Sequence, residues 1–186
     1  MKKISVKERV ITVASKLFYT NGYNQTGINQ IIDEAEVAKA SLYKHFRSKE
    51  DIAVAYLRHR HYRWMGELDK FVFHQSTKEQ KLIAVFDFLI YWLKEVDYRG
   101  CGFQNILADL PKDQLKIKKE VLFHKNELLR WIQNELKDEA DGLSENESQL
   151  AKEILVLIDG AIIMAQIQND VWPIEAAKNT CKKLFN

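Results

Sequence analysis

Residues 28–46 read INQIIDEAEVAKASLYKHF, and this stretch decides the fold of the chain. Isoleucines at positions 28, 31 and 32 have the spacing of one face of a short helix. After a break at 36–38, Leu42 and Phe46 mark the buried face of a second short helix. Because two helices with so few apolar anchors cannot bury a core alone, the pattern requires a third helix as their platform.

The residues before this stretch predict that platform. An apolar stripe with helical spacing, which stops at Asn21-Gly22, consists of Val6, Val10, Val13, Ala14, Leu17 and Phe18. Three helices in this order are typical of a helix-turn-helix unit, whose last helix enters the major groove of double-stranded DNA. The outer face predicted for that last helix consists of Lys39, Ala40, Ser41, Tyr43, Lys44 and His45. Such a face suits DNA because it carries no carboxylate that would meet a phosphate.

The distribution of charge also indicates a polyanionic partner for this part of the chain. Residues 1–49 hold nine basic side chains, Lys2 and Lys3 among them, and four acidic ones, a net charge of +5. The whole chain carries only +2, so the other 137 residues have a net charge of −3. On this pattern alone, a solvated basic helix without any partner remains the alternative.

Glu8–Phe46, with the RSKEDI that follows, resembles the DNA-binding domain of TetR-type transcriptional regulators. The matching positions are Ala14, Leu17-Phe18, Gly22-Tyr23, Thr26, Ile28, Ile31, Val37, Lys39, Leu42-Tyr43, His45-Phe46 and Lys49-Glu50. The resemblance implies a homodimeric, ligand-responsive regulator, most often a repressor, that leaves a palindromic operator when a small molecule binds. It implies a DNA-binding domain at 1–48 and a helical effector-binding and dimerisation domain at 49–186.

The resemblance also assigns roles in DNA binding. Phosphate contacts fall to Thr26, Gly27, Tyr43, His45 and Lys49. The first two act through backbone amides and a hydroxyl at the start of the second helix. Contacts to bases or to the groove edge fall to Lys39, Ala40, Ser41 and Lys44.

Two positions depart from the family pattern. Glu36 stands where a glycine usually ends the second helix in a left-handed conformation, at a cost of about 1 kcal/mol for a residue with a side chain. Ala38 stands where a Ser or Thr hydroxyl often caps the recognition helix. Neither change blocks DNA binding, and each shifts weight onto the remaining contacts.

Helical periodicity extends through the rest of the chain and predicts an all-α protein of about nine helices. Two of these helices begin at the capping signatures Thr77–Gln80 and Ser144–Glu147. Pro111 is expected in the first turn of a helix that runs to about Leu136, and Asp138–Leu143 is expected to be a polar linker.

Ile154–Ala165 reads ILVLIDGAIIMA and is apolar on every face except at Asp159. A helix of this kind must be covered by its own core and by something else, so we expect it in the seam of a homodimer. The predicted interface consists of Leu155, Ile158, Ile162, Ala165, Ala176, Ala177 and Leu184.

A helical domain of this size can enclose an apolar effector pocket with a few polar groups. The candidates for its lining are Trp64, Phe86, Tyr91, Gln104, Phe123, His124, Asp159, Met164 and Gln168. Because these helices carry no cluster of one charge, we expect a small apolar or aromatic effector and no cofactor. A DNA-binding adaptor whose C-terminal domain binds a protein is the alternative.

Other classes of function find little support in the sequence. No apolar run is long enough for a membrane span or a secretory signal, so we expect a cytoplasmic protein. Cys101 and Cys181 lack metal-type spacing and are expected to be buried thiols. His59 and His61 are expected to be exposed basic residues on different sides of a helix, not a metal site. A small enzyme with Asp159 as its catalytic carboxylate is less favoured than Asp159 as a satisfied polar group.

Overall fold

The computed structural model describes residues 4–111, 113–138 and 142–185. Within these residues it contains nine α-helices and no strand, which confirms the predicted all-α class. The helices are α1 (Val6–Thr20), α2 (Ile28–Glu34), α3 (Lys39–His45), α4 (Lys49–Val72), α5 (Lys78–Glu95), α6 (Gly102–Asp109), α7 (Leu115–Leu136), α8 (Glu145–Gln168) and α9 (Trp172–Lys183). Lys2, Lys3 and positions 139–141 of the predicted linker lie outside the described residues. No helix in the described ranges has both the length and the apolar character needed to cross a membrane.

Side-chain caps begin α5 and α8, as the sequence predicts. The Thr77 hydroxyl accepts a hydrogen bond from the Gln80 amide, and the Ser144 hydroxyl accepts one from the Glu147 amide. In both helices the Gln or Glu side chain accepts a bond back from the backbone N–H of the capping residue. Each box therefore satisfies two amides at its helix start.

The beginning of α7 differs from the prediction. The helix begins at Leu115, four residues after Pro111. The Gln114 amide donates to the Pro111 carbonyl, and the Leu115 amide donates to the Asp113 carbonyl, so the chain turns here before it becomes helical. Proline is compatible with the first turn of a helix but does not enforce one, and the Gln114 side chain is held elsewhere, by the Tyr23 hydroxyl.

The helices group into two compact units. The first takes in the described residues of Met1–Arg63 and Gly102–His124, and the second takes in those of Trp64–Cys101 and Lys125–Asn186. The unit that holds α1, α2 and α3 therefore extends past residue 48. The predicted division at residue 48 concerns which part binds DNA and which binds an effector, and it stays a prediction.

In the first unit, α1 is the platform that α2 and α3 require. It packs against both short helices. The side chains buried where these helices meet are Val10, Ala14, Leu17, Phe18, Ile31, Ile32 and Leu42. These residues include four of the six in the apolar stripe that the sequence predicts for α1.

In the second unit, α8 packs against α9, and this packing overturns part of the predicted dimer interface. Four of the predicted residues lie in the core of their own chain with at most 7 % of their surface exposed, namely Ile158, Ile162, Ala165 and Ala177. Of the other three, Leu155 is half-buried, and Ala176 and Leu184 are exposed. Because residues 154–165 of α8 are apolar on every face except at Asp159, the sequence does not indicate which face its own chain covers.

Candidate nucleic-acid interface

α3 presents the side chains that the sequence predicts for a DNA-reading surface. Its apolar anchors face inward, since Leu42 is fully buried and Phe46, at its C-terminal cap, is 4 % exposed. The exposed residues of the opposite face are Lys39, Ala40, Tyr43, Lys44 and His45, with Ser41 half-buried beside them. No residue of α3 carries a carboxylate, and its last turn is basic, where positive charge interacts favourably with the helix dipole.

The turn between α2 and α3 bends at Glu36, whose φ of 51° lies in the left-handed region. This confirms the conformation expected where the family has glycine. The Arg9 guanidinium of α1 donates a hydrogen bond to the Glu36 carbonyl oxygen at 3.2 Å, so α1 supports the turn. Ala38 occupies the N-cap of α3 and makes no side-chain hydrogen bond there, as its methyl group requires.

Thr26 differs from its predicted role. Its side chain is fully buried, and its hydroxyl donates to the carbonyl oxygen of Gly22 at 2.8 Å. The expected contact between this hydroxyl and a phosphate is therefore wrong, because the group is enclosed in the α1–α2 turn. Gly27, by contrast, is exposed at the N-cap of α2, where backbone amides remain open to an anion.

Lys49 begins α4 and lies over an aromatic ring. Its Nζ atom is 4.4 Å from the centroid of the Tyr23 ring, a cation–π contact between α4 and the α1–α2 turn. Burial lowers the pKa of the Lys49 ammonium, while the Asp109 carboxylate acts in the opposite direction. Burial also raises the pKa of Tyr23 to about 12, and the Tyr23 hydroxyl donates to Gln114 Oε1 at 3.0 Å. Lys49 thus braces the unit, and its contact with a phosphate stays a prediction.

The candidate effector residues divide between the two units. Three belong to the first unit, namely Gln104, Phe123 and His124. Six belong to the second, namely Trp64, Phe86, Tyr91, Asp159, Met164 and Gln168. Trp64 and Phe86 are buried in the second unit, whereas Tyr91, Met164 and Gln168 are exposed. Gln104 contributes a buried side-chain oxygen with no hydrogen-bond partner among the described residues.

The first unit contains a buried histidine pair that the sequence analysis missed. Nδ1 of His61 lies 3.0 Å from Nδ1 of His124, and the two residues are 6 % and 3 % exposed. The Phe103 ring stacks on His124, with ring centroids 3.8 Å apart. The expectation that His61 is exposed is therefore wrong, although His59 is exposed. The available signal was spacing, since His61 lies one helical turn after the buried Leu57.

Asp159 is a satisfied polar group, as the sequence favours. Its Oδ1 atom lies 2.5 Å from Lys125 Nζ, and the two side chains are 28 % and 17 % exposed. This pairing explains a carboxylate in an apolar helix without a catalytic role. Cys101 and Cys181 are buried free thiols, as expected, and burial raises the pKa of Cys181 to about 11.

Comparison with known proteins points to one family. Residues 10–56 match the family described as bacterial regulatory proteins, tetR family. The chain is similar to an uncharacterized HTH-type transcriptional regulator in the lacX 3' region of Lactococcus lactis subsp. lactis, at 23 % identity over 97 % of this chain and 93 % of that protein. It is also similar to IcaR, the HTH-type negative transcriptional regulator of the biofilm operon icaADBC in Staphylococcus epidermidis, at 23 % identity over 95 % of this chain and 93 % of that protein.

A solved structure has the same fold along nearly the whole chain. SCO4454, a TetR-family transcriptional regulator from Streptomyces coelicolor, superposes with a TM-score of 0.84 at 24 % identity, over 98 % of this chain and 90 % of that one. The family match at 10–56 covers most of α1, both short helices and the start of α4, and so includes the exposed basic face of α3. The proteins to which the chain is similar are regulators of transcription and not enzymes. Residues 10–56 therefore match the tetR family of bacterial regulatory proteins, and the chain as a whole has the fold of a TetR-family transcriptional regulator.

Proposed function

We propose that the chain is a homodimeric repressor that binds a palindromic operator and leaves it when a small apolar or aromatic molecule binds. The observation that carries this proposal is the exposed face of α3, which is cationic and free of carboxylates. Such a face can approach the phosphates that line a major groove without electrostatic repulsion. The similarity to IcaR, a negative regulator, supports repression.

In this proposal α3 lies in the major groove and reads the sequence. The Lys39 ammonium donates to the N7 and O6 acceptors of guanine, and Ala40 packs on a thymine methyl group. Ser41 and Lys44 line the edge of the groove. The phosphate contacts that fix the register come from Gly27, Tyr43, His45 and Lys49.

A second copy of the chain is the proposed occupant of an apolar stripe on α8. The exposed apolar side chains that recur here with helical spacing are Val156 (70 %), Ile163 (43 %), Met164 (38 %) and Ile167 (67 %). α9 adds exposed Trp172 and Ala176, and the exposed Leu184 follows at its C-terminal cap. In the proposed interface, these exposed residues replace the four predicted residues that lie in the core. An isologous contact would present two α3 helices at about 34–36 Å, or a multiple of it, along one face of the duplex.

Release from DNA requires an effector that prefers a conformer in which the two α3 helices no longer fit adjacent grooves. A ligand with equal affinity for both conformers would shift nothing. We assign the transmission of this change to α4, which begins at Lys49 and has residues in both compact units. The effector residues remain those predicted, of which Trp64 and Phe86 are buried aromatic candidates.

Footprinting on the DNA that flanks the chain's own gene tests this function. We expect the wild-type protein to protect a segment with two-fold symmetry, and we expect a small apolar or aromatic effector to remove the protection. Candidate effectors are those that raise the melting temperature of the free protein. Protection of a single half-site would contradict the dimer. A co-purified protein partner, with no small molecule that shifts the melting temperature, would favour the adaptor instead.

A further inference from the structure

A carboxylate from α6 holds the turn between α1 and α2. The backbone N–H of Asn24 donates to Asp109 Oδ2 at 2.7 Å, and the Asn24 side-chain amide donates to Asp109 Oδ1 at 2.9 Å. The same amide also donates to the Asp109 carbonyl oxygen. α6 packs on α1, so these bonds join a segment remote in sequence to the helix-turn-helix. We call this pair the Asn24–Asp109 clasp.

The clasp leaves the turn little freedom. Gly22 has a φ of 91°, and a Cβ atom there would lie 3.2 Å from Asp109 Oδ2, so the carboxylate packs directly against the backbone of the turn. On the other side of Asn24, the Thr26 hydroxyl closes back onto the Gly22 carbonyl. Because Tyr23 lies between these fixed points, the clasp holds the backbone from which the Tyr23 ring extends.

The Tyr23 ring in turn supports a predicted phosphate contact. The Lys49 ammonium lies 4.4 Å above this ring, and the Asp109 carboxylate raises the Lys49 pKa against the effect of burial. The Tyr23 hydroxyl is held by Gln114 at 3.0 Å. Lys49 therefore lies on a ring whose two ends are fixed by residues from outside the helix-turn-helix.

The beginning of α4 has a second attachment to the same part of the chain. The Lys116 ammonium lies 2.7 Å from Asp51 Oδ1, and the Lys116 backbone N–H donates to Glu50 Oε1 at 3.0 Å. Asp51 also accepts a bond from the Arg47 amide. This attachment holds the first turn of α4 independently of Asp109. A change at Asp109 should therefore move the Tyr23 ring while leaving α4 folded.

We propose that Asp109 is a positioning residue for DNA binding, which holds the α1–α2 turn so that the Tyr23 ring presents Lys49 to a phosphate. The proposal rests on the proposed phosphate contact of Lys49. Asp109 is an anion close to a surface that must approach a polyanion, so its charge alone opposes binding. When the carboxylate is neutralised, loss of the clasp should therefore lower the affinity for DNA, whereas loss of the negative charge should raise it.

Asp109→Asn is the test of that sign. The variant loses one negative charge, but its new amide faces the amide of Asn24, so a donor meets a donor and the turn loosens. We expect DNA affinity to fall about tenfold, the effect of lost hydrogen bonds in the clasp. Asp113→Asn is the matched control, because it removes the same charge from the α6–α7 connection without touching Asn24, and its affinity should equal or slightly exceed that of wild type.

The probe is the tightest 30-base-pair duplex that the wild-type protein recovers from a random library, and binding is measured by fluorescence anisotropy at several salt concentrations. If Asp109→Asn also removes the Lys49 contact, each protomer makes one phosphate contact fewer. The slope of log affinity against log salt concentration then becomes less steep by about 0.9 for each protomer. A merely less stable protein would not change this slope. Thermal unfolding confirms that each variant is folded at the assay temperature.

The exchanged pair provides a rescue. When Asn24→Asp is combined with Asp109→Asn, the amide introduced at position 109 donates to the carboxylate introduced at position 24. The side-chain oxygen at position 109 still accepts from the backbone N–H of residue 24. The carboxylate at position 24 also faces the backbone carbonyl oxygen of residue 109, which loses the donor it has in the wild type. We therefore expect the exchanged pair to regain only part of the lost affinity, whereas Asn24→Asp alone brings two carboxylates together and binds more weakly still. If Asp109→Asn does not fold, this rescue carries the test.

The outcomes separate the inference from the function on which it rests. A wild-type protein that recovers no duplex contradicts the proposed function. A wild-type protein that binds, with an Asp109→Asn variant of equal or higher affinity and unchanged salt slope, overturns the positioning role alone. An exchanged pair that binds DNA no better than Asn24→Asp alone overturns it as well.

Discussion

Glu36 holds a backbone conformation that residues with a side chain rarely adopt. Its φ of 51° ends α2 in the left-handed region, and the family usually places glycine at this position. The side chain is exposed, so no packing repays the strain, and the hydrogen bond from Arg9 goes to the Glu36 carbonyl, which any residue supplies. The strain is therefore a local cost that a glycine would remove.

Glu36→Gly is expected to raise the free energy of unfolding by about 1 kcal/mol, because glycine adopts a left-handed φ without a steric penalty. The melting temperature, followed by circular dichroism, should rise by about 2–4 °C for a chain of this size. Glu34→Gly is the matched control, since it removes the same charge from a helical position and should lower stability. An unchanged or lower melting temperature for Glu36→Gly would contradict the strain.

Replacement of Lys39 and replacement of Tyr43 are expected to change DNA binding in different ways. Lys39→Ala should weaken binding and also relax the preference at particular base pairs, because it removes a donor to guanine. Tyr43→Phe should weaken binding to all sequences alike, because a phosphate contact carries no sequence information. Affinities for a panel of single-base variants of the selected duplex measure this. A uniform loss with Lys39→Ala would show that Lys39 does not read bases.

At the scale of a helix, α8 separates two kinds of apolar side chain along one continuous apolar sequence. Ile162 is 3 % exposed and lies in the core of its own unit, while its neighbour Ile163 is 43 % exposed. Adjacent residues on a helix point about 100° apart, so one face can complete the core while the next remains open. The same substitution at these two positions therefore tests two different environments, the core of one chain at Ile162 and the proposed dimer surface at Ile163.

Ile163→Glu should give a folded monomer, because the charge lies on the surface proposed for the second copy and opposes burial there. Ile162→Glu should lower the melting temperature sharply, because it places a carboxylate in the core of one chain. Sedimentation velocity gives the mass, and circular dichroism gives the helical content of each variant. If Ile163→Glu remains a dimer with wild-type affinity for itself, the interface lies elsewhere.

At the scale of the molecule, charge is divided unevenly along the chain. Residues 1–49 carry a net charge of +5 and the other residues carry −3. The first 49 residues of each protomer should therefore attract DNA more strongly than the net charge of the whole chain, +2, suggests. A dimer doubles this and should make several phosphate contacts. A protein with 6–10 such contacts loses roughly 10³–10⁵ in affinity between 50 and 200 mM salt, and we expect a steep loss of this kind. Binding to the selected duplex that barely changes across this range would contradict phosphate contact by α3.

The sequence predicts what depends on neighbours along the chain and misses what depends on neighbours in space. The caps at Thr77 and Ser144 and the inward direction of Leu42 follow from spacings of three and four residues, and all are present. The burial of Thr26 and of His61 depends on which segments fold against them. The clasp joins positions 24 and 109, a pairing for which one sequence contains no signal.

α3 is seven residues long, lacks a side-chain cap at Ala38 and is anchored by little more than Leu42 and Phe46. A helix so short has almost no stability of its own in water. Its order in the free protein depends on packing against α1, so it is a candidate for brief local unfolding at a low free-energy cost. Contact with DNA would suppress these openings. Part of the interaction energy would then offset lost conformational entropy, and binding would be weaker than the contacts alone suggest.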